Sequence, residues 1–364
     1  MLSLENLSFV DITLLGIPKK GCMFMLKEMN RRDFLKASAV TGASILASDL
    51  LYTDPIAYGA VNIPEAEKIT IAAVIDNYAE TTRPSYKIAN RTGDYLYAQH
   101  GLSCHIETVF DGRSHSLLFD FGPTFSGLVG NIDALKIDLD KLEALVLSHG
   151  HRDHFGGLVE FLKYRSEKRS RGIPLYVGEE AFAERGQGQR VAHRPPKKED
   201  IEALVKIVEI IDPTPIVSGA YLTGRIEKIM DYEKVDPGRW VKKGDNFEPE
   251  TFIGEQSVVL NLKGKGLVVV TGCGHVGVVN TVKHAQKITG VKKVHAIMGG
   301  FHLTGAKEEL IQRTVADIKA MAPDYIIPMH CTGFEATGVF AKEMPDQFIL
   351  NTVGTRYIFS LQTV

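Results

Sequence analysis

His149-Gly150-His151-Arg152-Asp153-His154 packs three imidazoles and a carboxylate into six positions. The apolar run 142–147 ahead of it reads as a buried strand, and residues 156–162 after it read as the start of a helix. A strand-to-helix turn of this kind opens at a sheet edge, where α/β proteins build their sites. Neutral imidazole nitrogen and carboxylate oxygen are donors for Zn²⁺, Mn²⁺ or Fe²⁺. Alternation sets which donors share an ion. His149 and His151, two apart, point at one ion, whereas Asp153 and His154 begin the helix and reach a second. The bland alternative is an exposed His-rich loop, and the density of donors argues against it.

Outward from this hexad, residues 68–76 read as a first strand ending in Asp76-Asn77, and 103–110 with 116–121 as a hairpin around Asp111-Gly112-Arg113. Residues 128–135 read as a helix. Downstream, 257–262 and 266–271 form a second predicted hairpin that runs into Gly272-Cys273-Gly274-His275. A helix over 280–287 follows, then a strand over 294–298 ending in Gly299-Gly300-Phe301-His302-Leu303. After an amphipathic helix over 307–321, a last buried strand over 325–328 delivers Met329-His330-Cys331-Thr332-Gly333. The class is mixed α/β. Four strand ends therefore supply metal-type donors, at 149–154, 273–275, 302 and 330, and convergent strand ends are how a sheet scaffold assembles a site.

The character changes between 163 and 250, which reads as an insertion bordering the site. Lys163, Arg165, Lys168, Arg169 and Arg171 form a basic cluster, either a solvated helix face or a collar for an anionic substrate. Residues 186–189 and 193–198 read as exposed loops, 201–211 as helix or strand, and 226–230 as a short strand.

Composition sets wide bounds. The 364 residues are 44% hydrophobic and 24% charged, as in an ordinary globular protein, and a net charge of −2 gives no argument for nucleic acid as partner. Cys22, Cys104, Cys273 and Cys331 include no Cys-x-x-Cys pair, so a zinc knuckle is not expected. Near the start, Asn30-Arg31-Arg32-Asp33-Phe34-Leu35-Lys36 resembles a twin-arginine export signal. It is followed by a weakly apolar run over 37–47 and by small residues at Ala57-Tyr58-Gly59 suited to cleavage. That run is too short and polar to anchor the mature chain in a bilayer. Residues 1–60 are thus expected to be an export leader, with 1–28 lying upstream of an alternative start at Met29 and the folded domain spanning 66–364. The export machinery is the expected partner, and a periplasmic or extracellular location the expected destination.

His-x-His-x-Asp-His after a short buried strand resembles the metallo-β-lactamase superfamily, which implies an αβ/βα four-layer sandwich of two mixed sheets with one or two divalent ions along one edge. Asp76-Asn77, Leu118-Phe119-Asp120-Phe121-Gly122, Gly272-Cys273-Gly274-His275, Gly299-Gly300-Phe301-His302-Leu303 and His330-Cys331-Thr332-Gly333 are similar to segments of its dihydropterin-synthase-like branch. The resemblance implies that His149 and His151 hold the first ion, and that Asp153, His154 and His330 hold the second. Many superfamily members place a histidine about eighteen residues ahead of a bridging aspartate. Here those positions carry Glu255 and Cys273, so Glu255, Cys273 and His275 compete for the missing ligand duty. Zinc is the expected metal, with manganese or iron as alternatives. Asp153 is the expected proton acceptor and His302 an acid or substrate contact. Asn77, Gly299, Gly300 and Phe301 join His302 as expected substrate contacts. The implied activity is that of a hydrolase or transferase acting on an anionic, phosphorylated and pterin-like small molecule. It would work through activated water or assisted departure of diphosphate. The competing classes are a metal- or ligand-binding sensor without turnover, and an iron redox protein.

Overall fold

The central strands of the two large sheets are apolar on both faces because each is sandwiched between two layers. In Lys68–Ile75, the side chains of Ile69, Ile71 and Ala73 enter one core while Val74 and Ile75 enter another. In Leu142–Leu147, Ala144 and Val146 face the first core, and Leu145 and Leu147 the second. Across the molecule, Val258, Leu260, Val268 and Val270 join the first core, whereas Val259, Leu267 and Val269 enter a third. Period-two alternation with no polar face produces the continuous apolar runs of the sequence.

The computed structural model describes residues 61–361 except 94 and 169–171. An eight-stranded sheet has the spatial order 207–210, 175–178, 142–147, 113–119, 103–110, 68–75, 356–360 and 89–90. A seven-stranded sheet runs 214–217, 220–222, 258–262, 266–271, 294–300 and 325–329, with 65–66 paired to 258–262. The first core lies between these sheets. Helices Phe125–Ala134 and Leu158–Lys168 cover the outer face of the eight-stranded sheet. Val278–Thr289, Glu308–Ala320 and Phe334–Glu343 cover the other. The result is the expected four-layer αβ/βα sandwich. Phe119, wholly buried between the sheets, illustrates the stake: truncating such a ring to alanine costs about 3–5 kcal/mol.

The expected hairpins form, as Ser103–Phe110 with Arg113–Phe119 and Val258–Leu262 with Gly266–Thr271. The region 163–250 differs from a single insertion. Its strands Leu175–Gly178 and Ile207–Ile210 pair into the eight-stranded sheet, and Thr214–Val217 and Ala220–Leu222 into the seven-stranded one. What stands apart is a four-stranded sheet of order 246–249, 239–243, 185–187 and 190–193. Residues 186–187 and 193 are therefore strand, not loop. Gly186 suits that strand because a Cβ there would meet the Trp240 ring at 2.3 Å. Residues 201–211 divide into the end of a short helix, Lys198–Glu202, and the strand Ile207–Ile210. Residues 226–230 form no strand, and the backbone amides of Ile229 and Met230 instead donate to Asn280 Oδ1 at 2.8 Å. The leader, residues 1–60, lies outside the described residues.

Candidate metal centre

Parallel strands 266–271, 294–300 and 325–329 end at the same edge of the seven-stranded sheet, delivering Cys273 and His275, His302, and His330. Strand Leu142–Leu147 ends facing them and delivers the hexad, with its last turn docked by a hydrogen bond from Gln256 N to Ser148 O at 2.8 Å. Two donor groups result. His275 Nε2 lies 3.2 Å from His149 Nε2 and 3.1 Å from His151 Nδ1. His154 Nε2 lies 3.1 Å from Cys273 Sγ and 3.2 Å from His330 Nε2, and His330 Nε2 lies 3.1 Å from Asp153 Oδ2. The groups adjoin: the His149 and His154 rings are 4.3 Å apart.

Tautomers follow from the partners behind the rings. Asp120 Oδ2 accepts from His154 Nδ1 at 2.6 Å and from Ser148 Oγ at 2.7 Å, while its Oδ1 accepts from Ser148 N at 2.7 Å. Ser148 Oγ in turn accepts from His149 Nδ1 at 2.9 Å. Both rings thus commit Nδ1 to the partner behind and turn Nε2 into the donor groups, the carboxylate–histidine arrangement that orients metal ligands. Burial, with neighbouring imidazoles adding, holds His149 and His151 well below the usual histidine pKa. Burial and the adjacent His302, His151 and His149 do the same for His275. For His154 burial also lowers the pKa, but the carboxylates of Asp120 and Asp153 outweigh it and push it up to about 9. Burial would raise the Asp153 carboxyl, yet His154 and the hydrogen bond from His330 win and hold it below the usual range. Buried lone pairs converging at 3.1–3.2 Å repel unless a cation or proton sits among them. This donor set therefore fits divalent ions, with nitrogen donors in one group and nitrogen, oxygen and sulfur in the other.

The expected sites divide accordingly. His149, His151, Asp153, His154, Cys273, His275 and His330 come together in these two groups. Glu255 stands outside them: its oxygens accept from His275 N at 2.9 Å and Val276 N at 2.8 Å, which shapes the loop that carries His275. Phe301 is a core residue packed on Phe340 with ring centroids 5.6 Å apart, and it is not among the side chains that converge at the donor groups. Gly299 and Gly300 are buried as well. A Cβ on Gly299 would meet Thr271 O at 2.1 Å, and one on Gly300 would meet Cys331 Sγ at 2.7 Å. Both are places where adjacent loops close up on one another. Asn77 donates its amide to His330 O at 2.9 Å and so holds that turn, beside Asp76, whose Oδ1 accepts from His330 N at 2.7 Å. His302 lies 4.0 Å from the His275 ring, within reach of Cys273 and Cys331, and its Nδ1 is buried without a hydrogen-bond partner. Arg165 of the basic cluster instead lines a cavity with Leu162, Pro174 and Leu204, away from these donors.

Three contributors were not anticipated. Asp120 is one. Phe252 stacks flat on His275, with centroids 3.9 Å apart and planes 3° apart. His193 stacks on His151 at 3.9 Å and 12°, and forms a further donor group with His151 and Asp153. Backbone geometry marks the same place: Asp120, Phe252, His302 and His330 all take positive φ, an arrangement that costs of order 1–3 kcal/mol each and concentrates at functional sites.

Comparison with known proteins adds independent findings. A family profile described as the metallo-beta-lactamase superfamily matches residues 108–229, and one for the twin-arginine translocation pathway signal sequence matches residues 28–48. The chain thus carries a twin-arginine signal and is exported. Among the described residues, no helix is long and apolar enough to cross a membrane. The chain is 32% identical over 304 residues to the 7,8-dihydropterin-6-methyl-4-(beta-D-ribofuranosyl)-aminobenzene-5'-phosphate synthase of Methanocaldococcus jannaschii, covering 79% of this chain and 96% of that one. It is 30% identical to an uncharacterized protein of the same organism, covering 66% of this chain and 87% of the other. The crystal structure of Tm1679, described as a metal-dependent hydrolase of the beta-lactamase superfamily, superposes with a TM-score of 0.64 at 23% identity. It covers 79% of this chain and 98% of Tm1679 and shows a shared fold.

Proposed function

Because this chain belongs to the metallo-β-lactamase superfamily, we propose that it is an exported enzyme holding two zinc ions and hydrolysing a phosphorylated, pterin-like small molecule. The observation that carries this reading is the pair of adjoining donor groups, each drawing side chains from more than one strand end, all buried except the part-buried Asp153. His149, His151 and His275 would hold one ion, and Asp153, His154, Cys273 and His330 the other. Bound there, zinc lowers the pKa of a coordinated water to about 7 and polarises a phosphoryl or carbonyl oxygen. The sulfur of Cys273 in place of a carboxylate favours zinc over harder ions in the second group.

The chain's own groups then handle orientation and protons. Asp120 and Ser148 keep the His154 and His149 lone pairs aimed inward. Asp153 keeps its side chain 20% exposed, stays ionised, and would orient a water by accepting its hydrogen bond beside the ions. His302, beside His275, holds a buried Nδ1 without a hydrogen-bond partner that would take or give a proton there. The Phe252 ring shields His275 from water.

A second reading, group transfer with departure of diphosphate, is favoured by the name of the 32% identical synthase. One experiment separates the two. Zinc-loaded protein is offered phosphodiesters, lactones, and a dihydropterin diphosphate with an aminobenzene ribofuranosyl phosphate. Hydrolysis of a phosphodiester supports the first reading, and a coupled product with diphosphate release supports the second. Ligand binding without turnover in any class overturns both and leaves a sensor.

A further inference from the structure

The small four-stranded sheet brings two polar side chains against the first donor group. Its strand Arg190–His193 ends in His193, and its strand Arg239–Lys243 begins with Arg239. Both line a small cavity that reaches His151 and is also walled by Trp240 and by Arg185 with Glu250.

The charges in this cavity do not cancel. Arg185 is spent: Nε donates to Glu250 Oε2 at 2.7 Å, Nη1 to Ala183 O at 3.0 Å and Nη2 to Glu180 O at 2.8 Å. Glu250 is spent too, since its other oxygen accepts from Phe252 N at 2.7 Å. In Arg239, Nε and Nη2 share Asp236 Oδ2 at 3.2 and 3.1 Å, which fixes the guanidinium plane. Its Nη1 has no partner among the described residues, and Asp236 is not part of the cavity wall. The charge of Arg239 bears on His151, His193, His275 and His302 alike. His193 Nδ1 accepts from Arg152 N at 3.1 Å, so the ring carries its proton on Nε2. Asp153, the carboxylate near His193, already receives the hydrogen bond from His330.

Two N–H donors, a guanidinium beyond the Arg185–Glu250 pair and no uncommitted carboxylate in the cavity wall describe an oxyanion site. We propose that His193 and Arg239 form a subsite for a phosphoryl group, held against the first donor group by the small sheet. The inference rests on the reading of an anionic substrate handled at that centre and assigns the residues that recognise the anion.

The test is calorimetric titration of zinc-loaded full chain with inorganic phosphate and, separately, acetate at matched ionic strength, with metal content measured on each sample. Arg239→Gln and His193→Asn are each expected to weaken phosphate binding at least tenfold while zinc content and melting temperature stay within error. Arg239→Lys is expected to recover only part of the loss, because it restores charge without the planar fork. Acetate should bind more weakly than phosphate and respond less. Phosphate affinity within twofold of the unsubstituted chain in Arg239→Gln, with zinc retained, overturns the subsite. So does acetate binding as tightly as phosphate. Loss of zinc in His193→Asn overturns it in favour of a ligand role for His193. Binding is read without turnover, so failure of the proposed hydrolysis leaves a distinct signature.

Discussion

Replacing Asp120 with asparagine separates the two halves of the centre. Asp120 is fully buried, and its Oδ2 accepts from both His154 Nδ1 and Ser148 Oγ. In Asp120→Asn the amide oxygen can keep the bond from Ser148 N, but an NH₂ group replaces Oδ2. Two donors then face each other, and His154 escapes only by moving its proton to Nε2. That nitrogen lies 3.1 Å from Cys273 Sγ and 3.2 Å from His330 Nε2, where the second ion would sit. Ser148 Oγ can accept from the new amide while still accepting from His149 Nδ1, so the first group is spared. Loss of such an outer partner weakens metal binding about 10–100-fold, or about 1.4–2.7 kcal/mol. Competition with a chelator on zinc-loaded protein should therefore show one of two equivalents released more readily and the other unchanged. Equal weakening of both, or of neither, would refute the assignment of His154 to its own group.

Glu255→Ala should lower the melting temperature by several degrees and weaken the first ion, because two buried backbone amides lose their acceptor at about 1–3 kcal/mol each. It should not remove the ion, and complete loss in metal analysis would restore Glu255 as a ligand. Chelator-treated protein should lose stability below about pH 6.5. His105 and His193 titrate at about 4 through burial, as do His149, His151 and His275 at low values, so the unfolded chain binds more protons in that window and acid favours unfolding. His154 acts oppositely: its pKa of about 9 gives stability that disappears as pH rises through 9. Melting temperature against pH should thus peak near about 6.5, falling on the acid side as the buried imidazoles charge and again toward pH 9 as His154 loses its proton, and a flat profile down to pH 4 would contradict the buried neutral imidazoles.

The sandwich was legible because its strands are apolar on both faces and because Gly-rich turns punctuate them. The hexad and the partners at 273–275 and 330 were legible because strand ends carry them. Asp120 was not, since a lone aspartate ending a strand has no spacing signal and its partner His154 is 34 residues away. His193 was hidden because the end of its short, half-exposed strand reads as a loop, Arg239 lies in a stretch that carries no spacing signal, and Gly186, read as part of a loop, instead makes room for Trp240. Phe301 misled in the other direction. Placed beside Gly299, Gly300 and His302 it read as part of the site, although its ring points into the core.

Counting zinc per exported chain, together with the His151→Ala and His154→Ala variants, tests the two-group centre most directly. The account predicts two ions in the unsubstituted protein and one in each variant, with turnover lost in both. A single ion in the unsubstituted protein under zinc-replete conditions, or two ions retained in either variant, would contradict it.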